Sequence, residues 1–203
     1  MATVALIGAS GNVGTRLLKE LTARNHTVTG IARHPEKIVK LDGVTPVKGD
    51  VHDKESLSAL LKGHDAVISA VRFVDTDPAE LIQAVKDSGV KRYLVVGGAG
   101  SLEVAPGEKV IDQPDFPEEY KAEASKGVDF LEYIKTVDDL DWTFLSPSAV
   151  FGPGARTGNF RLGKDQLLAT DAGSSISFED FAIAMVDELE DPAHTGERFT
   201  VGY

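Results

Sequence analysis

The chain contains no cysteine. Disulfides, thiolate nucleophiles and Cys-based metal sites are therefore excluded together. Basic residues are few beside acids: 21 Lys and Arg stand against 32 Asp and Glu, a formal charge of −11. Such a surface repels phosphate backbones and anionic headgroups, so neither nucleic acid nor a membrane surface is expected as a partner. A local basic pocket for one small anion is still allowed. No apolar run is long enough to cross a bilayer. Met1 leads straight into a strand-like run with no basic leader or cleavage-type site, and the cytoplasm is the expected location. The histidines, His26, His34, His52, His64 and His194, show no metal-ligand spacing, so no metal site is expected. The G-x-S-x-G elbow of serine hydrolases is missing as well.

What is present is an ordinary globular composition, 42% hydrophobic and 26% charged, over 203 residues that suit one domain. Short β-branched runs at Thr3–Ile7, Thr27–Ala32, Ala66–Ala70, Arg92–Val96 and Trp142–Ser146 read as strands. Between them, Val13–Arg24, Lys54–Leu61, Ala79–Ser88 and Glu118–Thr136 have helical spacing. "SISFEDFAIAMVDELE" predicts a further helix, with Ser177 or Asp180 near its start, and "ERFTVGY" a last strand. "DAVISA" and "RYLVVGG" are apolar nearly throughout, as expected of strands covered on both faces. The alternation predicts an α/β fold, a parallel sheet doubly wound by helices in three layers. Two long irregular pieces, about residues 98–118 and 147–165, follow predicted strands at the end of the sheet where open α/β folds bind ligands.

"VALIGASGNVGTRLLKEL" passes from strand through three glycines into a helix. The first free N–H groups of such a helix, with its dipole, form an anion site if no side chain blocks the approach. Gly8 then permits the tight turn, Gly11 the approach of backbone to a diphosphate, and Gly14 the contact of helix with strand. Ser10, Asn12 and Val13 border the same anion. At the tip of the second strand stand Arg33 and His34, with no acid before Glu36. In a dinucleotide-binding fold this tip faces the adenosine ribose, so the cations favour the 2′-phosphate of NADP(H) over NAD(H). The alternative for Arg33 is a solvated surface side chain. Asp50, which follows a further predicted strand, and Val51 suit the adenine, while Asp53 reads as a helix cap. Ser69, Ala70 and Val71 end the next strand beside the glycine turn. Gly97, Gly98 and Ala99, with Pro147, leave room for the nicotinamide half.

Taken together, "GASGNVG", "ARHPEKI", "GDVHDKESL", "YLVVGGAGSL" and "WTFLSPSAVFGPGARTGNF" resemble the atypical short-chain dehydrogenase/reductase families. The resemblance covers essentially the whole chain. It points to the single-domain NAD(P)H-binding group of NmrA-like proteins, NADH–flavin reductases and the biliverdin reductase B type. It implies a Rossmann-like fold, NADP(H) binding and hydride transfer to a flavin or similar planar acceptor, with the flavin as substrate and not as prosthetic group. The Tyr-x-x-x-Lys dyad of conventional members is missing: Tyr93, Tyr120 and Tyr133 are followed four residues on by Gly97, Ala124 and Val137. Carbonyl reduction needs that proton donor, whereas flavin reduction needs mainly stacked rings. Tyr120 and Ser146 are the remaining catalytic candidates. Phe73, Phe116, Phe151 and Phe160 are available to cover a planar acceptor, or to pack as core, and Arg156 and Arg161 to hold its anionic group, or to stand solvated or salt-bridged. A small-molecule acceptor is the expected partner, and the chain a monomer or homodimer. A non-catalytic NADP(H)-binding regulator of the NmrA-like kind is the alternative.

Overall fold

In the computed structural model, which describes Met1–Tyr203, helices and strands alternate as the apolar pattern requires. The order is β1 (Thr3–Ile7), α1 (Asn12–Ala23), β2 (Thr27–Ala32), β3 (Val44–Lys48), α2 (Lys54–Leu61), β4 (Ala66–Ser69), α3 (Pro78–Ser88) and β5 (Arg92–Val96). There follow β6 (Glu103–Ala105), β7 (Glu108–Lys109), α4 (Glu118–Ile134), β8 (Asp141–Pro147), β9 (Val150–Gly152), β10 (Arg161–Gly163), β11 (Ser175–Ser177), α5 (Phe178–Glu190) and β12 (Glu197–Gly202). The main sheet has eight strands in the order β10-β12-β8-β5-β4-β1-β2-β3. All its pairings are parallel except that of β10 with β12. The order reverses direction between β1 and β4, and that reversal opens a crevice at the carboxyl ends.

Both faces of the sheet are buried because successive strand residues point opposite ways. Val4 and Leu6 join Leu17, Leu18 and Leu21 of α1 and Phe181 and Met185 of α5 in one core. Ala5 and Ile7 join Leu57 of α2, Leu81 of α3 and Phe130 of α4 in the other. These are the three layers expected.

Differences from the sequence reading are confined to ends and to the irregular pieces. The strand expected over Ala66–Ala70 stops at Ser69, and the helix expected to reach Thr136 stops at Ile134. Of the two residues considered for the start of α5, Ser177 is the cap, its Oγ accepting from Asp180 N–H at 2.9 Å. The piece after β5 holds the β6–β7 hairpin. The piece after β8 holds β9, which pairs with β11, and β10, which closes the sheet with an antiparallel edge. Strands of two or three residues show no periodicity, which is why the sequence did not announce them.

Candidate functional site

The turn between β1 and α1 is built by two kinds of glycine. Gly8 has φ +84°, and a Cβ there would lie 2.2 Å from the Ala70 carbonyl oxygen. A Cβ on Gly14 would lie 2.1 Å from the Gly8 oxygen. The chain's own packing therefore demands both. Gly11 differs: its backbone is extended, and a Cβ would meet nothing closer than the Gly8 oxygen at 3.4 Å. Nothing inside the protein explains this glycine, and it is part of the cleft wall.

Gly11 is also the N-cap of α1, with no side-chain cap and no acid in the first turn. By contrast α2, α3 and α5 are capped by Asp53, Asp77 and Ser177, which confirms the structural reading of Asp53. Helix geometry leaves the N–H groups of Asn12 and Val13 without partners inside the helix. An amino end left open in this way attracts an anion.

Around this turn lies a cleft of about 190 Å³. Gly8, Ser10, Gly11, Arg33, Asp50, Val51, Ala70 and Val71 all line it, so half of the cofactor residues expected from sequence come together. A second hollow of about 430 Å³ shares Arg33, Gly49 and Asp50 with the first and adds His34, Lys48, Asp53 and Ser56. No hydrophobic residue lines it. Arg33 and Lys48 are exposed and make no ion pair, and His34 Nδ1 stands 3.3 Å from Glu36. Asp50 Oδ1 accepts from His52 N–H at 3.0 Å, leaving its second oxygen free of protein partners. Lys48, Arg72 and Thr76 were missed by sequence reasoning. Lys48 reaches the site because β3 pairs with β2 in a register that sets it opposite Ala32. Arg72 and Thr76 belong to the turn after β4, whose Phe73 and Val74 N–H groups donate to Glu123 at 2.7 and 3.0 Å.

Several expected residues have other work. Ser69 is buried with its hydroxyl 2.8 Å from that of Tyr93, whose phenol burial pushes above the usual range. Gly97 is small for the sake of the core, since a Cβ there would lie 2.2 Å from the Phe144 ring. Gly98 and Ala99 are half-buried at the tip of β5, and Pro147 is buried at the end of β8. Ser146 is fully buried, its Oγ accepting from Arg198 at 3.3 Å, and Tyr120 stands 60% exposed on the first turn of α4. Phe73 packs with Phe130 and Phe144. Phe151 packs on Phe178 and Phe181, and Phe160 lies against the same core; Phe73 is thus core, Phe151 and Phe160 are half-buried on its edge, and only Phe116 remains apart.

The two arginines are engaged within the protein. Arg156 forms a two-pronged pair with Glu20 at 2.8 and 2.9 Å. Glu20 lies about 12 Å along α1 from its open end, at 1.5 Å of rise per residue. Hydrogen bonding from Arg156 holds the Glu20 carboxyl below its usual range. Arg161 donates to the carbonyls of Ala169 and Tyr203 at 3.0 and 2.5 Å. Each guanidinium is only partly engaged, Arg156 Nη1 and Arg161 Nε and Nη1 having no protein acceptor.

Residues 8–192 match the model of a family described as NAD(P)H-binding. YwnB of Bacillus subtilis is 42% identical, over 98% of this chain and 97% of its own. A Bacteroides thetaiotaomicron protein provisionally named an epimerase superposes with a TM-score of 0.94 at 44% identity, covering 99% of this chain and 96% of that one. A Streptococcus pneumoniae protein provisionally named an NADH-flavin reductase superposes at 0.86 with 36% identity, covering 100% and 99%. No helix is long and apolar enough to cross a membrane.

Proposed function

The chain belongs to the NAD(P)H-binding family, of oxidoreductase character, and from that premise we propose that it is an NADP(H)-dependent reductase acting on a flavin or similar planar acceptor. One observation carries the cofactor part. The uncapped end of α1, with Gly11 open to the cleft, adjoins a hollow in which Arg33 and Lys48 have no partner of their own. The first feature suits a diphosphate held by backbone N–H groups. The second suits an additional phosphate, with Arg33 as a two-pronged donor and Lys48 as a point charge. Arg72 adds a cation on the opposite wall, and Val51 and the free oxygen of Asp50 suit an adenine ring and its amino group.

The bound dihydronicotinamide supplies a hydride. The residues at the tips of β5 and β8 border the space in which it would be given up. Their contribution is shape: Gly98 has no side chain, and a Cβ there would meet only the edge of Phe73 at 4.0 Å. No residue there matches the tyrosine–lysine pair that protonates a reduced carbonyl. Tyr93 is sealed in the core, and Tyr120 has Ala124 where the lysine would be. A flavin accepts hydride without such a donor, which favours it over a ketone.

The test is to mix the purified protein with NADPH and FMN, FAD or a quinone, and follow loss of the near-ultraviolet absorbance of the reduced nucleotide. Turnover with a preference for NADPH is the expected result. Firm binding of NADPH with no turnover of any flavin, quinone or tetrapyrrole would instead favour an NmrA-like regulator. Calorimetry that detects neither nucleotide would overturn the reading of the glycine turn itself.

A further inference from the structure

An arginine lies buried where the sheet meets its two long irregular segments. Arg198 of β12 is 8% exposed, and all its N–H groups have acceptors. Nε and Nη2 donate to Asp165 Oδ1 at 3.0 and 2.7 Å. Nη1 donates to Ser101 Oγ at 2.9 Å and Ser146 Oγ at 3.3 Å, and Nη2 also to the Ser101 carbonyl at 3.4 Å. The three partners come from separate places: Ser101 follows β5, Ser146 lies on β8 and Asp165 follows β10. Beside the guanidinium the two segments are joined directly. Glu103 N–H donates to the Asp165 carbonyl at 2.8 Å, and Leu167 N–H to the Glu103 carbonyl at 2.9 Å.

We infer that Arg198 is a positioning residue that locks the segments after β5 and after β10 into one preformed wall beside the tips of β5 and β8. This rests on reading those tips as the acceptor side. The Asp165 side chain is 55% exposed, so the pair repays little of the cost of burying the guanidinium, and stability alone does not account for a charge here. What the planar guanidinium adds is a rigid fork that fixes the directions of several bonds at once. The wall is therefore rigid before any acceptor arrives, and its shape selects the acceptor.

The experiment uses the full chain with Arg198→Lys and Asp165→Asn, the second at a half-exposed carboxylate in case the first folds poorly. Hydrogen exchange is read at the Glu103 and Leu167 amides, with α1 as the internal reference, beside NADPH affinity and KM for FMN. Exchange at the two amides should accelerate by roughly tenfold or more as charge-assisted bonds are lost. Protection of α1 and NADPH affinity should hold, and KM for FMN should rise by a similar factor. Unchanged exchange at both amides in both variants would overturn the proposal. So would a uniform loss of protection that includes α1, or a loosened wall with KM unmoved. Should the wild-type chain reduce no flavin, the functional reading falls while the exchange comparison still decides whether Arg198 locks the wall.

Discussion

At the scale of single residues, the glycine turn separates what the fold needs from what a ligand needs. Gly14→Ala places a methyl carbon 2.1 Å from the Gly8 oxygen, so backbone must move. Denaturant titration should show a loss of about 1–3 kcal/mol or more, the usual cost of overpacking. Gly11→Ala meets nothing inside 3.4 Å and keeps an allowed backbone, so its stability should stay within about 1 kcal/mol, the scale of an N-cap exchange. Its affinity for either dinucleotide, read by calorimetry, should nevertheless collapse; retention would place the diphosphate elsewhere. Arg33→Ala should weaken NADPH roughly ten- to a hundredfold, the worth of a hydrogen bond to a charge, and leave NADH little changed. Equal weakening of both would mean that the 2′-phosphate does not lie there. The three glycines were legible because a strand–glycine–helix junction carries its geometry within a dozen positions. The sequence allowed a salt-bridged Arg156, but its partner was not legible because Glu20 lies 136 residues away in sequence, and Lys48 was missed because its neighbour across the sheet is fixed only by register.

At the scale of elements, periodicity made the helices and the central strands legible, and its loss made β6, β7, β9, β10 and β11 illegible. What fixes the irregular segments is instead a few carboxylates received at helix starts. Asp180, in the first turn of α5, is fully buried and accepts from Thr157 N–H at 2.7 Å, Thr157 Oγ1 at 2.6 Å, Gly158 N–H at 2.9 Å and Tyr203 Oη at 2.8 Å. Burial opposes its charge, but these bonds outweigh burial and hold its pKa below the ordinary 3.8. A folded pKa that is lowered contributes stability above the unfolded value, and that contribution is lost as pH falls through the folded one. Asp180→Asn should therefore be less stable than the wild type by about 1–3 kcal/mol at neutral pH. The gap should be flat down to about pH 5 and then close on acidification, as urea titrations at several pH values would show. A gap independent of pH throughout would mean that the amide's altered shape, not the lost charge, is responsible. The same segment matters for Phe151 and Phe160, which sequence offered as acceptor contacts. Once Asp180 draws the chain over α1 and α5, both rings fall onto the core of those helices.

At the scale of the whole molecule, the proposed ligand and the protein carry charge of the same sign. A formal charge of −11 should repel a dinucleotide phosphate, so binding depends on a local attraction. The fold gathers Arg33 and Lys48 at two adjacent strand tips and Arg72 across the cleft, among the carboxylates of Asp50, Asp53 and Asp75. The attraction therefore rests on the exposed, unpaired Arg33 and Lys48 and not on a net positive lining. Composition alone allowed a local cluster of cations, and the strand order, with β2 and β3 side by side, is what brings Arg33 and Lys48 together. Salt distinguishes the local field from the global one. At physiological ionic strength the screening length is about 8 Å, so distant surface acids are already muted while charges at the cleft still act. NADH and NADPH share the diphosphate and the repulsion from the body, and these largely cancel in the ratio of their dissociation constants. What remains is the extra phosphate against two exposed cations, an interaction that added salt weakens. The preference for NADPH should therefore shrink steadily as sodium chloride is raised, and in Arg33→Ala it should be small and nearly flat. A wild-type preference indifferent to salt would show that shape, not charge at the β2 and β3 tips, sets the choice of nucleotide.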